Sequence, residues 1–281
     1  MRAASAHDPH LEEYLEAIGR PPREWDLFDL SLHISRIGDP GLSVDDCREE
    51  IGGIRRKVEE RLSSHREPYT IIEHANTVLY EELGYRGNTE NYYNPLNSLM
   101  SQVLRRRTGI PITLSILYRE IVGPLGLKTW AVGMPGHFLL GFRASSRELF
   151  LDPFQQGQIL LEDDCRAMCE RLFESQLEFD LSYLSSIPAS AIILRMLMNL
   201  KQLYRGSGEA VMALRVLNRR IPLLSDPLPE ILERGMVSVE LSDYRAALED
   251  FRFFVENTPD ESVRQAIETR ISELERLARG E

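Results

Sequence analysis

From about Leu11 to Leu62 the apolar residues recur at helical spacing. "GDPGLSVDD" (38 to 46) interrupts that run with Gly and Pro and offers Ser43 as an N-cap, so two or three helices are expected there. "LFDLSLHISRI" sets Leu27, Leu30, Ile34 and Ile37 on one stripe with His33 beside it, a boundary position rather than a ligand position. A further helix, "TIIEHANTVLYEEL" (70 to 83), stops at Gly84. The next stretch, "GYRGNTENYYNPLNS", has no period. A loop of that length is uncommon in a compact domain unless it is functional or pinned, and Asn91, Asn94 and Asn97 are the side chains able to cap and pin it.

"GIPITLSILYREIVGPLGL" reads as a buried helix, with Pro111 at its start, where a missing N–H costs nothing, and Gly123-Pro124 at its end. The period then changes. "KTWAVGM", "HFLLGFR" and "ELFLDPF" are short, apolar and separated by turn residues, which predicts strands of an antiparallel sheet. Helices first and strands afterwards indicate an α+β domain with helices packed on one face of the sheet. With a four-residue connection at 144 to 147, Leu139 pairs with Asp152 and His137 with Phe154. His137 and Asp152 then share a face as diagonal neighbours, close enough for a hydrogen bond. A carboxylate so placed fixes an imidazole's tautomer and stabilises its cation, the relationship between a base and its orienter.

"LLEDDCRAMCERLF" is helical again, with Cys165 and Cys169 on one face and no further ligand nearby in sequence, so they read as buried small hydrophobes rather than a metal site. Past Ile187-Pro188 the chain is all helical. In "ILERGMVSVELSDYRAALEDFRFFVENTPDE", Gly235, Tyr244, Ala247, Phe251 and Pro259 fall where a tetratricopeptide repeat puts its small, aromatic and terminating residues. About 34 residues upstream, Ala213 and Leu217 match Ala247 and Phe251, but Lys201 and Ser225 replace the Gly and Pro. The division expected is an N-terminal segment 1–24, an α+β domain 25–187 and a repeat domain 188–281. Two repeats are few for a free-standing array, so this module is expected to dock on the preceding domain or on a partner.

The net charge of −11 opposes attraction to a phosphate backbone, so no nucleic acid is expected. "LRRRTG", Arg105 to Arg107, is a local exception that can hold a phosphate or carboxylate, or simply be a solvated turn. Three cysteines make no disulfide framework and fit a reducing cytoplasm. The start "MRAASAHDPHLEEYLEA" lacks an apolar leader pattern, and no apolar run approaches the roughly 20 residues that span a bilayer. A cytoplasmic protein without membrane contact is expected.

The helix-then-sheet order and the motifs "GYRGN", "YNPLNS", "RRTGIPITLS", "PGHF" and "DPF" resemble the transglutaminase-like superfamily over roughly residues 25 to 265. The nearer likeness is to the bacterial branch in which that core precedes tetratricopeptide repeats, a core also found within an F-box protein. The resemblance implies a papain-type fold and, in active members, a Cys at the N-terminus of the buried helix, a His on one strand and an Asp on the next. His137 and Asp152 match the last two. The Cys position falls at Pro111 or its neighbour Ile112, so the thiolate that a helix N-terminus would stabilise is missing. Thr113 and Ser115 are the hydroxyls nearest the helix start, and Thr113 is the weaker nucleophile that can stand in; packing or back-bonding to the helix is the competing role. Cys47, Cys165 and Cys169 lie too far along the chain to serve without a rearranged site.

Three readings follow. One is a catalytically silent module that binds a protein or peptide segment through the core pocket and the repeats, with Asn97, Tyr93 and Arg107 as pocket candidates and Gly235, Tyr244, Ala247 and Phe251 as the repeat groove. A second is a divergent amidase, peptidase or acyl transferase in which His137 is the general base, Asp152 its orienter, and the Gly109 to Thr113 amides or Asn97 stabilise an oxyanion. The third is structural alone: His137 donates to the backbone and Asp152 caps the turn into "PFQQG". No cofactor or metal is expected, and a small-molecule ligand is compatible with the pocket.

Overall fold

Local capping decides where the first helices begin. In the computed structural model, which describes residues 8–62, 66–174 and 176–279, the chain opens with α1 (Leu11–Ile18), α2 (Leu27–Ser35) and α3 (Val44–Glu59). Asp26 accepts from the Asp29 amide to cap α2, and Ser43 accepts from the Asp46 amide to cap α3, as its place after "GDPGL" predicts. α4 (Pro68–Asn76) continues into one wider π turn, Thr77–Glu82, and Gly84, at φ 73°, ends it. His33 is half-buried at the edge of the α2 stripe.

The loop that follows is pinned by asparagines. Two short parallel strands, β1 (Arg86–Gly87) and β2 (Thr108–Gly109), close it at the base. Between them lie a 3-10 turn, Pro95–Ser98, capped by Asn94, and the seven-residue α5 (Met100–Arg106). The sequence did not announce α5, because seven residues are too few to display a helical period. α6 (Pro111–Val122) follows, and ten of its twelve residues are buried, which makes it the central helix of this unit.

β3 (Thr129–Val132), β4 (Leu139–Ala144), β5 (Arg147–Asp152) and β6 (Gln158–Leu160) form an antiparallel sheet in that order. Leu140 pairs with Leu151 and Ala144 with Arg147, the register expected from the sequence, with a connection of only Ser145 and Ser146 rather than four residues. β6 went unread because three residues carry no alternation. Trp130 pairs with Gly141, and its indole occupies the space that a β carbon at 141 would need. α7 (Glu162–Leu172) lays Cys165 and Cys169, both fully buried, against Val132, Met134, Leu139, Phe150 and Leu160, so these thiols are core hydrophobes.

Four more helices complete the chain after α8 (Ala189–Gly206): α9 (Ala210–Arg220), α10 (Leu228–Glu240), α11 (Tyr244–Asn257) and α12 (Glu261–Arg279). The chain divides into two compact units, Ala17–Met196 and, separately, Met1–Glu16 together with Leu197–Glu281. The described residues before Ala17, expected in a separate segment 1–24, therefore count with the repeats. Tyr14, fully buried, donates to the Arg219 carbonyl at 3.1 Å, and Asp8 pairs with the buried Arg219 guanidinium. A charge this deeply buried is tolerated only with such a partner.

Within the repeats, Gly235 of α10 lies under the ring of Phe251 of α11: a β carbon there would stand 2.5 Å from Cε1. Ala247, Phe251, Phe254, Ile267 and Leu274 form the core beneath. Gly235, Ala247 and Phe251 are buried and Tyr244 is half-buried. These residues build the repeat from within and do not line an open groove, a correction that follows from their close helix–helix packing. Lys201, in the place of the first repeat's glycine, sends its ammonium to Glu233 at 2.7 Å and Glu230 at 3.6 Å. No helix among the described residues is long and apolar enough to cross a membrane.

Candidate functional site

His137 reaches its place through a tight turn. Its amide donates to the Met134 carbonyl at 3.1 Å, Pro135 takes the second turn position, and Gly136 adopts φ 69°, which a type II turn requires at the third. Asp152 ends β5, where Pro153 begins a 3-10 turn. Asp152 Oδ1 accepts from the Phe154 and Gln155 amides at 3.0 and 3.3 Å, while Oδ2 lies 2.8 Å from His137 Nε2. Asp152 is fully buried and His137 is 8% exposed. An ionised carboxylate only accepts, so Nε2 carries the proton toward Asp152 and Nδ1 keeps the ring's basic lone pair. Phe154 stands edge-on to His137 with ring centres 5.9 Å apart, and Tyr92 and then the exposed Tyr93 extend the aromatic wall.

A second layer holds the Asp152 turn. Gly157, at φ 74°, donates its amide to the Asp152 carbonyl at 2.9 Å, and Asn76 fills the space that a β carbon at 157 would occupy. Asn76 Nδ2 donates to the Gly157 carbonyl, the Tyr118 hydroxyl donates to Asn76 Oδ1, and the Tyr80 hydroxyl donates to the Pro153 carbonyl. Asn76 immediately precedes the π turn and Tyr80 lies within it, a distortion common beside functional sites. Burial pushes the Tyr80 and Tyr118 phenols well up, so both remain neutral donors.

The sequence reading missed Arg195. Its Nη1 donates to the Met134 carbonyl at 3.1 Å and its Nη2 to the His137 carbonyl at 2.7 Å, which ties both ends of the turn that presents His137. The guanidinium carbon lies 5.6 Å from the centre of the Phe138 ring. The available signal was one charged residue inside the apolar run "AIILRMLMNL".

Other candidates are committed elsewhere. Pro111 is buried at the first turn of α6. Thr113 Oγ1 accepts from the Ile110 amide at 3.1 Å and lies 2.9 Å from the Asn97 carbonyl and 3.1 Å from that of Ile110, so the hydroxyl closes the helix start. Ser115 Oγ is buried with no hydrogen-bond partner and hence no base. Among the described residues no hydroxyl or thiol hydrogen-bonds to His137. Burial pushes the Cys47 thiol up to about 11 and the Cys165 thiol up to about 12, the opposite of activation.

Asn97 Nδ2 donates to the Asn91 and Tyr92 carbonyls, and its Oδ1 accepts from Asn88 and Arg106. All the hydrogen-bonding capacity of that amide is used, so Asn97 pins the loop and has nothing free for an oxyanion or ligand. Arg107 is exposed, adopts φ 54° at the end of α5, and donates to the Leu83 carbonyl at 2.7 Å. A cavity of about 870 Å³ opens away from the histidine, lined by residues including Lys128, Trp130, Arg143 and Phe150; neither His137 nor Asp152 lines it. Among the described residues no group of three His, Cys, Asp or Glu is placed to hold a metal ion.

Comparison with known proteins gives two family matches: the transglutaminase-like superfamily over residues 45–198 and the tetratricopeptide repeat over 200–272. A UPF0162 protein of Xylella fastidiosa is 30% identical over 187 residues, 66% of each chain. A UPF0162 protein of Vibrio cholerae is 25% identical over 250 residues, 89% of this chain and 92% of that one. F-box only protein 21 of Homo sapiens is 41% identical over 103 residues, 34% of this chain and 16% of that one.

Proposed function

Since the chain belongs to the transglutaminase-like superfamily, with tetratricopeptide repeats behind the core, we propose that it binds a protein or peptide segment and performs no acyl-transfer chemistry. One observation carries this reading: Pro111 occupies the helix start where the family resemblance implies a thiol, and no other nucleophile is hydrogen-bonded to His137 among the described residues. Without a side-chain nucleophile hydrogen-bonded to it, His137 has no thiol or hydroxyl to activate for acyl transfer. In this reading the edge of His137, held by the buried Asp152, and the aromatic wall form a recognition surface. The repeats add a second surface on which Met236 and Phe253 are exposed. The three free thiols support a reducing, cytoplasmic setting.

The test is intact mass after incubation with acyl-donor esters and a hydroxyl-directed phosphonate. The expected result is no adduct. A stoichiometric adduct that vanishes in His137→Ala and in Thr113→Ala or Ser115→Ala would replace this reading with an enzyme. A second reading, hydrolysis by water activated directly on His137, is favoured by the 2.8 Å contact to Asp152. Its signature is amide or ester turnover with a pH profile lost in Asp152→Asn; unchanged turnover in that variant ends it.

A further inference from the structure

Arg195 is a cation without an anion. Two of its five N–H groups go to neutral carbonyls, those of Met134 and His137, and Phe138 lies beside it. Among the described residues no carboxylate pairs with it: Asp152 is taken up by His137 and two backbone amides. Burial pushes the guanidinium down from its ordinary value, which is the cost of desolvating an uncompensated charge. The Tyr92 phenol lies within its field: burial raises that phenol, and Arg195 pulls against the rise.

The remaining N–H groups of Arg195 form a planar donor set on the turn that presents His137, whose ring meets Phe154 edge-on, and Phe154 in turn meets Tyr92. One free positive charge suits a monoanion. A phosphate dianion would need a second cation, and among the described residues no other Arg or Lys hydrogen-bonds to the Met134–His137 turn that Arg195 holds. A peptide C-terminus carries a carboxylate and a side chain on the same carbon, which matches a cation next to an aromatic wall. An Asp or Glu side chain ends in its carboxylate and leaves the wall bare.

We propose that Arg195, with Tyr92 and the edge of His137, is a receptor for the terminal carboxylate of a peptide whose last side chain rests on Tyr92 and Phe154. This names the ligand of the recognition surface and rests on the binding reading above. The full chain would be titrated with N-acetyl-Ala-Phe bearing a free carboxylate, with its carboxamide and with inorganic phosphate, while the Arg195 Nε–H and His137 ring resonances are followed. The free acid is expected to shift both signals. The carboxamide should bind about tenfold more weakly or worse, the scale of one charge-assisted hydrogen bond. Arg195→Lys should lose a similar factor, and Tyr92→Phe several-fold, the latter keeping the assay informative if the lysine variant folds poorly. Equal binding of acid and amide overturns the carboxylate assignment and leaves the binding reading standing. Phosphate binding tighter than the acid overturns it in favour of another anion, and no shift from any probe overturns it outright. Hydrolysis of the carboxamide during the titration would instead remove the binding reading.

Discussion

His137 Nε2 stands 2.8 Å from Asp152 Oδ2, and that carboxylate's other oxygen is held by two backbone amides. The pair is therefore part of the frame of the sheet's end as well as a chemical group. His137→Ala leaves a fully buried carboxylate one partner short, and the expected loss of stability is about 1–3 kcal/mol, read from urea unfolding. Asp152→Asn can keep both amide contacts, but its NH₂ donates to Nε2 and forces the ring proton onto Nδ1. Nitrogen shifts of the histidine ring should report this tautomer change, and an unchanged tautomer would contradict the geometry.

Gly157 sits at φ 74° with Asn76 in the volume its β carbon would need. Gly157→Ala should cost at least about 1–3 kcal/mol. The double variant with Asn76→Ala relieves the overlap but not the backbone strain, so the two losses should be non-additive. Simple additivity in a denaturation cycle would show that the two residues do not meet.

Pro111→Cys places a thiol at the N-terminus of α6, where the helix dipole favours a thiolate. The expected outcome is stoichiometric acylation by an activated ester, slowed about a hundredfold or more when His137→Ala is added, the lower end for loss of a general base. Acylation indifferent to His137 would mean that the base does not address the helix start.

Gly235→Ala brings a β carbon to 2.5 Å from Phe251 Cε1. Alanine favours a helix over glycine by roughly 0.5–1 kcal/mol, while overpacking costs about 1–3 kcal/mol, so the variant should be less stable. In a Phe251→Leu background the overlap goes and the same substitution should become neutral or stabilising. Thermal unfolding of the four proteins decides the sign.

Burial raises the Asp8 carboxyl, but hydrogen bonds and charge from Arg219 and the His10 amide outweigh it, and the group sits below its ordinary value. A depressed carboxylate stabilises the fold above its unfolded value and loses that contribution as the pH falls through the folded value. Unfolding followed from neutral to strongly acid pH should show this loss, and Asp8→Asn should flatten that limb of the profile. A profile unchanged by Asp8→Asn would rule out the linkage.

What could be read from the sequence follows from the physics of each feature. The hairpin register is legible because two short apolar runs are bounded by Pro-Gly and Ala-Ser-Ser-Arg, which fixes the pairing that brings His137 and Asp152 together. Ser43 was legible as a cap for similar local reasons. Arg195 was not, since its partners are backbone carbonyls 58 and 61 residues away and no local pattern encodes them. Asn97 was recognised as a pinning residue, but only the contacts show that its amide is fully spent. Gly235 and Phe251 are legible as repeat positions from their spacing, but spacing along a helix pair does not say which side faces the neighbour, and the two residues meet in the packed interior.

Gly235 and Lys201 hold equivalent places in the two repeats, one joined to its neighbour by shape and the other by charge. The repeats are therefore not interchangeable parts. An engineer who lengthened the array by copying the second would need only an aromatic ring opposite the glycine. A copy of the first, set anywhere but beside Glu230 and Glu233, would carry an ammonium into a packed interface with no carboxylate waiting for it.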